Sequence, residues 1–194
     1  MSYFNDQLKN IKLTELLIFI IVLFLIQILI NLSNITYIDT QWIYIFVILY
    51  IVFKLKNSLK YVKNDLKEGF SYYRLIIFVV VLNIFVSYGF LYLTDYLLGI
   101  FPFINTYRLS NSILSETLSV IIISPLFEEL LFRGVFINRL NLNFQILFSI
   151  LISSLIFATL HSFGNITSAF IFAISMAILY IKSNNIFVPV LAHI

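Results

Sequence analysis

Two adjacent carboxylates, Glu128 and Glu129, interrupt a stretch that otherwise reads as lipid-soluble: Ser124-Pro125-Leu126-Phe127-Glu128-Glu129-Leu130-Leu131-Phe132-Arg133-Gly134. Ionisable groups inside a spanning helix are expensive and by default mark a functional site. Glu129 and Arg133 are four residues apart, so they meet on one helix face and can neutralise each other. That pairing makes Glu129 the more structural of the two. Glu128 is turned about 100° away and has no local partner. A lone carboxylate in a dry site suits a general base working near neutral pH. The only two histidines, His161 and His193, also lie beside apolar sequence, and Phe157 precedes His161 by one turn.

One carboxylate and two imidazoles support two chemistries. Glu128, His161 and His193 can ligate a zinc ion and leave a position open for water. Equally, a metal-free site can use Glu128 to activate the water while the imidazoles stabilise an oxyanion. The plainer alternative is an interhelical charge pair that fixes packing, with histidines that merely sit at helix ends. Pro125 lacks the N–H that the carbonyl of Ile121 needs. The freed carbonyl and the expected kink point to a cavity inside protein, because lipid cannot satisfy that group.

The elements that must hold these residues are membrane helices. Of 194 residues, 61% are hydrophobic and 11% charged, and mean hydropathy is +1.03. A soluble domain of this size could not hide so much apolar surface. Apolar runs predict spans near 13–32, 41–53 (extending to Lys56), 75–98, 115–138, 144–161 and 166–181. A seventh opens at Asn185 and has run nine residues by Ile194. The first is long enough to cross a hydrocarbon core of ~30 Å, and no small-residue cleavage site follows it, so it reads as a retained span. The expected fold is an all-α polytopic transmembrane bundle with about six full spans plus the start of a seventh, forming one domain over residues 1–194.

Basic residues set the orientation. Lys9, Lys12, Lys54, Lys56, Lys60, Lys63, Lys67, Arg74, Arg139 and Lys182 all become cytoplasmic if the N-terminus is inside, and only Arg108 falls outside. Between Lys54 and Arg74, Leu55, Leu59, Val62, Leu66 and Phe70 recur every three or four residues. They predict an amphipathic connector near 55–70 on the inner leaflet. The net charge of +3 lies in such loops and argues for membrane orientation, not nucleic-acid binding. No cysteine is present, which excludes disulfides and thiolate metal sites. Abundant Ile, Asn, Phe, Tyr and Lys with little Gly suggest an AT-rich bacterial genome, hence a bacterial plasma membrane.

Depth gives a check. At ~1.5 Å per residue, Glu128 and His193 lie about 10 and 12 Å from the inner face, whereas a straight fifth span carries His161 ~25 Å, close to the outer face. Asn83, Ser87 and Tyr88 are expected to bond between helices. Ser149, Ser153 and Ser154 suit close packing.

These residues resemble a known family. Glu128-Glu129-x-x-x-Arg133 looks like its EExxxR motif, Phe157-x-x-x-His161 like its FxxxH motif, and the segment from Phe187 to His193 like the approach to its third, HxxxN or HxxxD. The family is the CPBP intramembrane proteases, which include CAAX prenyl endopeptidases and bacteriocin-processing or immunity proteins of the Abi family. The resemblance covers about residues 115–194. It implies that Glu128 activates the water, that Glu129, Arg133 and Phe157 support it, and that His161 and His193 belong to the active site. Whether zinc takes part stays open. The third motif expects Asn or Asp at position 197, beyond Ile194, so the resemblance implies a C-terminally truncated member whose extended form is the competent enzyme. Expected partners are membrane lipid and a peptide or lipidated-protein substrate. The alternative function is a non-catalytic immunity or interaction protein. A proton-coupled transporter fits less well, since no inverted repeat is visible.

Overall fold

The computed structural model describes residues 3–33, 41–98, 119–161 and 166–194. Arg108, Gly164, Asn165 and the start of the fourth predicted span lie outside them. Among the described residues every regular element is a helix. We number them α1 (Tyr3–Leu8), α2 (Leu13–Leu32), α3 (Gln41–Lys54), α4 (Val62–Ser71), α5 (Tyr73–Leu98), α6 (residues 119–140), α7 (Ile146–Thr159), α8 (Ile166–Ser183) and α9 (Phe187–His193). The helices follow the apolar runs closely, because in lipid every backbone group must be satisfied within its own segment. Two of them, α2 and α8, are long and apolar enough to cross a membrane. A third crossing is added if α3 and the bent segment after it count as one broken span.

The surface is far more apolar than that of a soluble protein. On α2, Ile18, Ile21, Leu25, Leu29 and Leu32 are exposed, as are Phe78 and Phe85 on α5 and Leu147, Leu151 and Leu155 on α7. Water would not tolerate so broad an apolar surface. The interior, mostly apolar as well, also holds Glu129, Arg133 and five serines among the described residues. Ser149, Ser153, Ser154 and Ala158 of α7 are buried, as are Ala169, Ala173 and Ala177 of the adjoining α8. Such small residues let two backbones approach closely, which is how helices associate when lipid gives no hydrophobic drive between them. Trp42, the only tryptophan, sits half-exposed at the start of α3. With Leu23, Ile26 and Ile30 of α2 it lines an apolar cavity of about 200 Å³.

Helix α6 is not a plain α-helix. Wide π-helical turns at Ser119–Ile123 and Leu130–Ile137 flank an α-helical Ser124–Glu129, with Asn138–Leu140 closing it. Pro125 opens the central segment, at a position where its missing N–H does least harm. Wide turns of this kind are uncommon and occur often at functional sites. Here they bracket the two glutamates.

One end of the bundle carries a belt of polar contacts. The backbone N–H of Phe4 donates to Asp65 Oδ2 (3.0 Å), and Asn5 Nδ2 donates to Asn184 Oδ1 (3.0 Å). Arg139 Nε and Nη2 donate to the carbonyls of Ile11 (2.8 Å) and Asn10 (3.1 Å). Asn185 Nδ2 donates to the carbonyl of Asp65 (2.7 Å), and its own Oδ1 accepts from the Phe187 N–H (2.9 Å). Asn138 Nδ2 donates to the Gly134 carbonyl and to the Tyr180 hydroxyl, both at 2.7 Å. These bonds tie α1, α4, α6, α8 and α9 together beside the catalytic candidates. Lys54 also reaches Glu15 across α2 and α3 (3.4 Å), so the start of one helix lies by the end of the other.

The connector differs in detail from the sequence expectation. A 3-10 turn, Lys56–Tyr61, precedes α4, and this segment turns 85° from α3. Asp65 and Gly69 face the protein, while Leu59 and Phe70 point outward. Gly69 allows a close approach: a Cβ there would sit 3.3 Å from Phe187 Cβ. Helix α1, which hydropathy did not single out, is tucked into the bundle, with Asn5 and Leu8 fully buried and Phe4 nearly so.

Candidate active site

Helix α6 presents Glu129 and Arg133 one turn apart, and both are sealed from solvent. Arg133 Nη1 lies 3.1 Å from Glu129 Oε1. Its Nη2 donates to the Ala173 carbonyl on α8 (3.0 Å), and the guanidinium lies over the Phe157 ring, 4.9 Å from the centroid. The spacing argument therefore describes the pair correctly. A cation buried this way needs several partners at once, because Coulomb attraction to one carboxylate does not offset its desolvation. Carbonyl and ring supply the rest.

Glu129 does more than neutralise Arg133. His193 Nδ1 lies 2.9 Å from Glu129 Oε1. A carboxylate only accepts, so Nδ1 carries the hydrogen, and Nε2 is the nitrogen turned toward Glu128, 3.8 Å from its Oε2. Glu128 and His193 each keep 19% of their side-chain surface accessible, whereas Glu129 keeps none. The second oxygen of Glu129 is buried without a hydrogen-bond partner.

His161 joins the same region. Its Nδ1 lies 2.8 Å from the Phe157 carbonyl, so that nitrogen again holds the hydrogen and Nε2 is left for the site. Its ring packs on Phe157 (centroids 4.5 Å apart), and Phe172 meets His193 edge-on, also at 4.5 Å. Phe157 and Phe172 contact each other, so two phenyl rings separate and dry the two imidazoles. Phe157, His161, Phe172 and His193 line one open cavity of about 360 Å³. Glu128 is not part of that lining. It reaches the region beside His193 and lies within electrostatic range of His161.

His161 and His193 line one cavity, although a straight fifth span predicts different depths for them. Helix α7 begins at Ile146, two residues later than predicted, and ends at Thr159. Its 14 residues rise only ~21 Å, and His161, just beyond its end, shares a cavity wall with His193. Asn83 and Ser87 of α5, read from sequence as interhelical glue, instead line this cavity. Tyr88 points outward.

For a metal, the donor chemistry is half right. Each imidazole fixes its Nδ1–H on an oxygen and leaves Nε2 free, as metal-bound histidines do. However, among the described residues no three His, Asp or Glu side chains converge closely enough to hold an ion. The set Glu128, His161 and His193 is thus brought together as neighbours, not as a coordination shell.

Comparison with known proteins bears on the C-terminal part of the chain. Residues 110–194, somewhat less than half of it, match the family model described as Rce1-like, type II CAAX prenyl endopeptidase Rce1-like. The matched region contains both glutamates, Arg133 and both histidines. No curated protein and no solved structure matches the chain.

Proposed function

We propose that this chain is an intramembrane endopeptidase that cleaves a membrane-associated or lipidated peptide with a water molecule activated by Glu128, a reading supported by the match of residues 110–194 to the Rce1-like, type II CAAX prenyl endopeptidase family model. The observation that carries the reading is the placement of Glu128 Oε2 3.8 Å from His193 Nε2, with His161 on the same cavity wall as His193.

The steps follow from the bonding of each group. Glu128 takes a proton from water as the oxygen attacks the scissile carbonyl carbon. The carbonyl π pair moves to its oxygen, and the imidazole side of the site stabilises the oxyanion. Glu128 returns the proton to the amide nitrogen, the C–N bond breaks, and a carboxylic acid and an amine leave. Glu129 is a positioning residue. By holding His193 Nδ1–H it keeps Nε2 aimed at Glu128, and Arg133 holds Glu129 in place from the other side, 3.1 Å away. Phe157 supports the cation with its ring and His161 with its carbonyl.

The same proposal includes the membrane arrangement: six full spans and the start of a seventh, the N-terminus cytoplasmic, and α4 on the inner leaflet with Leu59 and Phe70 toward lipid. Clustering of the N-terminal helix, Asp65, Arg139 and Asn184 at one end of the bundle supports it, because Lys9, Lys12, Arg139 and Lys182 then face one side.

The test is cleavage of a fluorogenic farnesylated peptide with a CAAX end by the full chain in lipid nanodiscs. Glu128→Gln should lower kcat by about 10²- to 10⁴-fold, the usual worth of a general base, with thermal stability retained. Full activity in that variant would remove Glu128 from the mechanism. A role in bacteriocin processing or self-immunity is tested in cells exposed to a pore-forming peptide. Protection that survives both Glu128→Ala and His161→Ala would make the chain a non-catalytic immunity protein.

A further inference from the structure

The cavity that holds the two histidines has a second wall, and nothing in the family match accounts for it, since α5 precedes residue 110. That wall is Asn83 and Ser87, with Ser168 of α8 beside them. Four residues apart, Asn83 and Ser87 project from one stripe of α5. Their neighbours Leu82, Ile84, Phe85 and Val86 are exposed to the surroundings. Helix α5 packs against α8 and α9, the helices that bear Phe172 and His193. The Asn83 Oδ1 atom is buried and has no hydrogen-bond partner. Interhelical glue would have found one, so the packing role expected from sequence leaves this atom unexplained.

We propose that Asn83, with Ser87 one turn further along α5, is a substrate-binding residue whose carboxamide hydrogen-bonds a peptide unit of the extended substrate beside the scissile bond. A carboxamide offers an acceptor and two donors, and a peptide unit offers the complementary pair. By turning over its last torsion Asn83 can accept from an N–H or donate to a C=O at the same place. Ser87 extends the pattern along the helix, again as donor or acceptor. The chemistry of the wall selects among occupants. It contains no lysine or arginine, so a lipid phosphate would enter uncompensated, whereas a neutral amide needs only dipoles. Backbone recognition of this kind is indifferent to side chains. Any side-chain preference must then come from the aromatic parts of the cavity.

This inference rests on the peptidase reading, and the experiment keeps the two separable. The chain has no cysteine, so Ser168→Cys supplies a single reporter thiol on the cavity wall. In nanodiscs, with Glu128→Gln to prevent turnover, the farnesylated CAAX peptide should slow thiol modification by a maleimide. Adding Asn83→Leu should weaken that protection about tenfold in peptide concentration, as expected for one lost hydrogen bond. In the active chain, Asn83→Leu should raise KM by a similar factor with kcat little changed, the mark of lost ground-state binding. Ser87→Ala should move both readouts in the same direction by less, and Asn83→Gln should restore part of the loss. If the peptide protects the thiol in an Asn83-dependent way but is never cleaved, the binding assignment stands and the protease reading falls. Equal protection and equal KM in folded Asn83→Leu protein would overturn the assignment while leaving the protease reading intact.

Discussion

Arg133 carries a charge that no water reaches, and the molecule answers it with a carboxylate, a carbonyl and a phenyl ring. Removing one partner strands the others. Arg133→Met should therefore lower stability by about 3–5 kcal/mol, the range for breaking a buried pair from one side, as measured by unfolding in a mild detergent. Pairing it with Glu129→Leu should recover much of that stability without recovering cleavage, because His193 would then have lost the acceptor for its Nδ1–H. Recovery of both would show that Glu129 has no part in positioning His193. At this scale much of the site was legible in sequence. Ionisable side chains are so costly in lipid that Glu128, Glu129, Arg133, His161 and His193 stand out unaided. Asn83 and Ser87 did not, because neutral polar residues in spans are ordinary helix-to-helix contacts and only the cavity distinguishes them. The bond from Glu129 to His193 spans 64 residues, and no local spacing encodes it.

Helices are the next scale, and here α4 and α9 matter most. Gly69 lets them touch: a Cβ would meet Phe187 Cβ at 3.3 Å and Leu191 Cδ1 at 3.7 Å. Gly69→Val adds branched bulk where the nearest neighbour is itself close to a backbone. It should cost about 1–3 kcal/mol, as overpacking does, and should reduce cleavage by shifting the helix that ends in His193. Gly89→Val is the control, since a Cβ at Gly89 meets nothing within 4 Å, and thermal unfolding of the two variants side by side gives the comparison. Matched midpoints would mean that α4 is free to retreat. Helix boundaries were largely readable, because hydropathy and spanning length are two views of one constraint. Helix α1 was not. Its six residues are too few and too mixed to stand out, and its burial comes from partners at Asp65, Gly134 and Asn184. The wide turns in α6 were hidden as well. Pro125 signalled an irregularity, but a proline does not say how the chain absorbs it.

For the whole molecule, the apolar coat decides the surroundings: broad exposed faces of Ile, Leu and Phe enclose an interior that is itself mostly apolar but also holds serines, a glutamate and an arginine. Composition alone demanded lipid as solvent, but it could not say how far apart chemically related residues would lie once the spans tilted and bent. A straight rod separates His161 from His193 in depth, yet the two line one cavity. Trp42 offers a way to read the arrangement directly, because a single indole emits from a single place. In the proposed topology the start of α3 lies at the outer interface, where tryptophan rings are at home. Phospholipids brominated high on the acyl chain should then darken its fluorescence more than those brominated near the methyl end. The opposite ranking would sink the indole to the bilayer midplane and redraw every crossing after it.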